Sequence, residues 1–276
     1  MTDATIAPAA PDNRAAFRPA SFGDALRSEW TKLRSLRSTF WALTATVVLG
    51  VGLGAAISAA AAHGYAKSSV SGKLSWDPTG ISLDGIGIAT LAIAVLGVLC
   101  ISSEYSSGMI RTSLIAVPKR GRLLAAKSLV FAAVTFVVGE ITSFTAFFAG
   151  QALISGHAPN AALGDPGVAR AVVGAGLALT AVAVLSVAAG TLLRHSAAAI
   201  AAMIAVLFVL PGIVQALPDS WRNPVTEFWP TLAVGDLASV HHSAHTLQPW
   251  AGFGVMCLFT AIVYAIAWTL LDRRDA

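Results

Sequence analysis

Charge and cysteine are both scarce in this chain, and no phosphate-cradling motif occurs in it; each absence closes off a class of protein. Asp, Glu, Lys and Arg make up 12% of 276 residues, while 56% are hydrophobic and the mean hydropathy is +0.73. Soluble domains carry roughly 25% charged residues, so a soluble fold of this size would be left short of polar surface. The two cysteines, Cys100 and Cys257, fall inside apolar runs, which excludes an exported disulfide framework and marks them as small buried hydrophobes. No G-x-x-x-x-G-K-[ST] occurs, so ATP hydrolysis by a phosphate-cradling loop is excluded. The apolar runs contain no paired carboxylates, metal-ligand cluster or nucleophile–base set, so the chain does not read as an enzyme and no cofactor is expected. Residues 1–20 are rich in Ala, Pro and polar residues and have no apolar signal-peptide core; they read as a disordered tail.

What is present instead is a set of six apolar stretches: 40–62, 86–103, 128–154, 171–193, 196–217 and 250–271. Only Glu140, in the third, carries a formal charge. A hydrocarbon core of about 30 Å needs roughly 20 helical residues, so each stretch fits one crossing. Strands of a membrane barrel would alternate every second residue over about ten positions, and these stretches do not. The expected fold is all-α and polytopic, with six transmembrane helices and an N-terminal interfacial helix.

The positive charges orient such a protein. Of 18 Lys and Arg residues, only Lys67, Lys73, Arg170 and Arg222 fall on one side when the N-terminus is assigned to the cytoplasm. The other fourteen lie in 1–37, in 104–127, at Arg194 and at Arg273 and Arg274. This positive-inside asymmetry places both termini in the cytoplasm. The basic face suits anionic lipid headgroups, so a pI near 9.4 needs no nucleic-acid partner.

Two segments on the basic side have structure of their own. In 21–37, Ser21 with Asp24 forms a capping box. Phe22, Leu26, Trp30 and Leu33 recur on one helical face, with Arg27, Lys32 and Arg34 on the other. Such a helix lies in the interface with Trp30 at headgroup depth and its basic face toward water or phosphate. In 104–127, Ile110, Leu114 and Val117 are spaced for one face of a short helix, which Pro118 and Gly121 then punctuate. A short amphipathic helix in a turn-bounded loop is a handle for another protein.

These same segments resemble a known family. The run SEWTKLRSLRST before the first span, followed by six spans, is similar to bacterial permease subunits of ATP-binding-cassette transporters of the type-2 exporter class. The run EYSSGMIRTSLIAVPKRGRLLAAK is similar to that family's pattern of Glu, Gly, Leu and Pro, a basic residue and Lys, with Met109 where many relatives have Thr. The resemblance covers 21–274. It implies that 21–37 is a connecting helix and that 104–117 holds a coupling helix docking on an ATPase subunit. Glu104, Gly108, Ile110, Leu114, Val117, Pro118 and Arg120 would then form the coupling element, Glu104 at the N-terminal end of its helix. The implied partners are a separate ATPase subunit and a second permease chain, identical or not, in a bacterial plasma membrane. An ion-coupled secondary transporter using Glu140 is the alternative.

Further residues carry weaker expectations. Glu140 is either a proton or substrate contact or a carboxyl hydrogen-bonded to a neighbouring span, the second being adopted here. Pro211 with Gly212 should kink the fifth span. Gly50 and Gly54 form a GxxxG that a chain with 24 glycines is expected to contain by composition alone. In 218–249, Trp221, Phe228, Trp229 and Trp250 belong at the membrane surface, and the resemblance implies short helices there that dip back into the outer leaflet and cap the exit. His241, His242 and His245, with Asp236 as the only nearby acid, do not complete a metal site.

Overall fold

A computed structural model describes residues 21–109, 120–240 and 246–273. Every regular element among them is a helix. An amphipathic helix α1 (Phe22–Ser35) precedes α2 (Arg37–Tyr65), followed by the short α3 (Val70–Leu74), α4 (Pro78–Leu83) and α5 (Gly85–Ser106). Two long helices follow, α6 (Arg120–Ile154) and α7 (Val168–Leu193). Next come α8 (Ser196–Ile204), a π-helical turn (Ala205–Val209) and α9 (Leu210–Gln215). The chain continues through α10 (Asp219–Phe228), α11 (Pro230–Ala233), a 3-10 turn (Gly235–Ala238) and α12 (Pro249–Arg273). Six spans are long and apolar enough to cross a membrane: α2, α4–α5, α6, α7, α8–α9 and α12. The chain is a multi-pass α-helical membrane protein.

The second span starts at Pro78, eight residues ahead of the expected boundary, because its first turn is polar and hydropathy alone overlooks it. Asp77 caps that turn, its Oδ1 accepting from Thr79 N at 3.0 Å and Gly80 N at 2.9 Å, and Pro78 takes the first helical position, where no amide hydrogen is needed. At α1 both arms of the expected capping box form: Asp24 N donates to Ser21 Oγ at 3.2 Å, and Ser21 N to Asp24 Oδ2 at 2.9 Å.

The fourth span, α7, is the hub of the bundle. Of its most apolar stretch 72% is buried, against 17% for α2 and 22% for α12; those two outer helices are left to face lipid or another chain. Cys257 lies on the outward side of α12, contrary to its reading as a buried hydrophobe, while Cys100 is half-buried; both are free thiols. The GxxxG of the first span is structural rather than a composition effect. Any side chain at Gly85 would strike the backbone of Gly50 and Gly54, and one at Gly54 would strike the Ser82 carbonyl. Helices α2 and α5 therefore meet backbone to backbone, as small residues permit in the absence of a hydrophobic driving force.

The expected break in the fifth span takes a definite form. Pro211 has no amide hydrogen, and its ring collides with the carbonyl four residues back. The backbone widens just before it into a π turn, in which Leu210 N donates to Ala205 O. In that register the carbonyl of Val206 would look to Pro211 for a donor and find none. The indole of Trp229 supplies it, Nε1 to Val206 O at 3.3 Å. So the aromatic of the following segment completes the break that the proline creates.

That segment forms short helices, as the resemblance implies, and its described residues pack back onto the bundle. Leu237 is fully buried and fills the space left by the missing side chain of Gly174 on α7; Gly252 on α12 leaves room for the Ala233 carbonyl. Arg170 secures the turn, its guanidinium donating to the carbonyls of Asp236 (3.2 Å), Leu237 (3.5 Å) and Ser239 (2.9 Å). Exposed aromatics ring both ends: Trp30, Phe40 and Trp41 near α1, Trp221, Phe228 and Trp250 at the other. This is the distribution of membrane-interface belts.

Candidate functional site

At the end of the bundle that carries α1, four charged side chains come together between helices. Glu29 and Lys32 stand one turn apart on α1, Glu104 is in the last turn of α5, and Lys127 is in the second turn of α6. Lys127 Nζ donates to Glu29 Oε2 at 2.5 Å and to Glu104 Oε1 at 2.9 Å. Lys32 Nζ donates to Glu29 Oε1 at 2.7 Å and to Glu104 Oε1 at 2.8 Å. Charges alternate around the ring, so two lysines cancel two glutamates. Glu29 and Lys127 are each 2% exposed, and Lys32 at 27% is the member that reaches toward solvent.

Ions buried to this degree are tolerated only when paired, since each lone ion costs several kcal/mol to desolvate. The cluster therefore holds α1, α5 and α6 in one arrangement: no member can leave without stranding a charge. Glu104 is the strained participant. It faces the negative end of the α5 dipole, which disfavours a carboxylate, and its Oε2 is buried with no hydrogen-bond partner among the described residues. Two ammonium groups on its other oxygen offset this.

Neighbouring contacts tie the end of α5 to α8 and to the connection between α7 and α8. Ser196 Oγ at the start of α8 donates to Ser102 Oγ at 2.8 Å. The guanidinium of Arg194, held in left-handed backbone at φ 53° between α7 and α8, stands 5.3 Å from the Tyr105 ring centre. Gly108 then stops the chain with φ 72°, a conformation that side chains resist and glycine accepts.

Several expected positions change under this geometry. Glu104 is inside α5 and paired, not at the start of a loop helix. Lys32 belongs to the buried ring rather than to a water-facing basic face, because the face of α1 packed on α6 is Ala25, Glu29 and Leu33. Phe22 and Trp30 point outward from that contact, and Arg34 is exposed. Arg120 opens α6 and donates through Nη1 to the Leu271 carbonyl at 3.2 Å, near the end of α12. Ile110, Leu114, Val117 and Pro118 lie outside the described residues, as do His241, His242 and His245.

Glu140 also departs from expectation. Both carboxyl oxygens are buried, and neither has a hydrogen-bond partner among the described residues. The carboxyl lies over Gly176 of α7, where a side chain would overlap it. The expected hydrogen bond to a neighbouring span is absent.

Sequence reading missed Glu29 and used Lys127 only as one positive charge of the loop. The signal for both was present. Glu29 interrupts the small and apolar 25–29–33 face of α1, and Glu104, the one acid between the second and third spans, is followed by Lys127 at the apolar start of the third. Comparison with protein-family models and with curated proteins yields no match for this chain.

Proposed function

We propose that the chain is the membrane-spanning permease subunit of an ATP-driven exporter of the ATP-binding-cassette type-2 class. It would form half of a substrate path with a second permease chain, driven by a separate ATPase subunit. The observation that carries this reading is the buried ring of Glu29, Lys32, Glu104 and Lys127. It clamps α1 to the two helices that bracket the 110–119 segment, the segment whose sequence resembles a coupling element. A push on that segment would reach α1, α5 and α6 together. A six-span bundle with no phosphate-binding loop fits a subunit powered from outside. The assignment is tested by purifying the tagged chain from its native bacterial membrane. An ATP-hydrolysing subunit should co-elute, and transport into vesicles should require ATP. Transport by the chain alone, driven by an ion gradient without nucleotide, would sink it.

On this reading both termini, α1 and the 104–127 region are cytoplasmic. Reporter fusions after residue 37, within 110–119 and at the C-terminus are expected to behave as cytoplasmic, and fusions within 66–76 or 219–240 as exported. An exported C-terminus would be incompatible with the topology.

The ion-coupled alternative draws on one observation, the buried carboxyl of Glu140 in the third span, which has no hydrogen-bond partner among the described residues. Intramembrane carboxylates of this kind mark proton relays in other transporters. Glu140→Gln preserves size and removes the ionisable group. In an ATP-driven exporter it is expected to retain expression and transport within about twofold, since it breaks no bond. Abolished transport at normal expression would favour the ion-coupled mechanism.

A further inference from the structure

The second span is interrupted at Asp84, and the interruption leaves a carboxylate that the fold does not use. Helix α4 ends at Leu83 and α5 begins at Gly85, with Asp84 between them in helical backbone (φ −56°, ψ −31°). An aspartate at a helix start ordinarily adopts extended backbone and turns its oxygens onto the next amides. Here the helical path runs straight through, and the side chain makes no capping bond. Asp77, seven residues earlier, shows the contrast. One of its oxygens caps α4, and the other accepts from Ser239 Oγ and Val240 N, both at 3.0 Å. Arg170, the cation packed at this end, gives its guanidinium to three backbone carbonyls. No side-chain hydrogen bond or ion pair of Asp84 exists among the described residues.

Asp84, an exposed residue, is among those lining a cavity of about 310 Å³ between the second, fourth and fifth spans and the folded-back 3-10 turn. That is large enough for a small organic ligand. Leu179, Val182, Leu207 and Phe208 make apolar walls, and Thr231 contributes a buried hydroxyl with no hydrogen-bond partner among the described residues. Asp84 is the seventh residue of a span of 29, about 9 Å from its end at 1.5 Å per residue. A helix of that length exceeds a hydrocarbon core of about 30 Å, so the carboxylate stands near the hydrocarbon boundary, with the apolar walls reaching deeper.

We propose that this cavity binds an amphipathic organic cation, its positive group paired with Asp84 and its apolar body lodged against Leu179, Val182, Leu207 and Phe208. An anion would be repelled by Asp84. A small hydrated metal ion would leave the apolar walls unused and would have to shed its water for a single carboxylate. An organic cation uses both features, and Phe208 can add attraction through its ring face.

A role for the site in export rests on the proposed function, whereas binding is read on the isolated chain without nucleotide or ATPase. A chain that binds the cation yet recruits no ATPase keeps the site and loses the export reading; the reverse outcome separates them the other way. Equilibrium dialysis of the purified protein in nanodiscs against labelled tetraphenylphosphonium is the direct test. Tetraphenylborate serves as a probe of the same shape and opposite charge. The wild type is expected to bind the phosphonium about tenfold or more tightly than Asp84→Asn, the scale of a screened attraction between two unit charges near a protein surface. Asp84→Glu should retain binding. Gly87 lines the same cavity with open space where a side chain would start. Gly87→Trp should therefore fill the cavity and abolish binding at an unchanged melting temperature, which keeps the test decisive if Asp84→Asn folds poorly. Equal affinity in wild type and Asp84→Asn, equal binding of the borate, or undiminished binding in Gly87→Trp would overturn the site.

Discussion

Lys127→Met is expected to destabilise the protein by about 3–5 kcal/mol, the usual cost of removing one partner from a buried ion pair. Methionine keeps the unbranched apolar stem and is one heavy atom shorter, so little is lost in packing. What changes is charge. Lys127 is 2% exposed and bonds both Glu29 and Glu104; without it two carboxylates share the single ammonium of Lys32. The measurement is thermal unfolding of detergent-purified protein, together with the yield of monodisperse material. Adding Glu29→Gln to Lys127→Met restores neutrality, leaving Lys32 with Glu104, and is expected to recover part of the loss. That recovery distinguishes stranded charge from damaged packing, since a packing defect would deepen with a second change. An unfolding midpoint unchanged from wild type in Lys127→Met would mean that the ring is not structurally important.

Under the proposed function, Leu114→Asp is expected to abolish co-purification of the ATPase subunit while leaving membrane insertion intact. Leu114 lies outside the described residues, and the expectation comes from sequence pattern and resemblance. A short helix presenting Ile110, Leu114 and Val117 on one face grips a partner by lodging apolar anchors in a groove. A carboxylate at the central anchor would have to be buried unpaired. The basic residues nearby would tune association rate more than affinity, so charge reversals among them should have milder effects. Pull-down of the ATPase with hydrolysis measured in parallel reads the result. Normal recovery of the ATPase with normal transport would remove this segment as the coupling element.

How much of this protein was legible beforehand depended on how local each property is. Six spans could be read because hydropathy sums over neighbours in sequence, and burial in lipid requires no tertiary partner. The capping box of Ser21 and Asp24 and the break at Pro211 are equally local, each set by one backbone group and a residue within four positions of it. The second span reads short in sequence because the stretch from its cap at Asp77 to Asp84 is polar at both ends, and only the capped geometry shows that it belongs to the helix.

The candidate sites were a different matter. Whether Glu29 faces water or lysine depends on where α1 lies on α6, and no periodicity within residues 21–37 contains that information. Trp30 and Phe22 marked the apolar face by composition, yet both are exposed, while the small face of Ala25 permits close packing on α6. Gly50 and Gly54 looked like chance until Gly85 appeared opposite them. Glu140 was conspicuous in the sequence, but its missing hydrogen bond is a fact about α7. The amino-acid sequence by itself determined the number of crossings, their approximate extent and the asymmetry of charge across them, because these follow from solvation of contiguous residues. Tertiary structure alone decided which charges pair, which carboxylates stay free and which glycines are contacts, because each of those depends on a second helix distant in sequence.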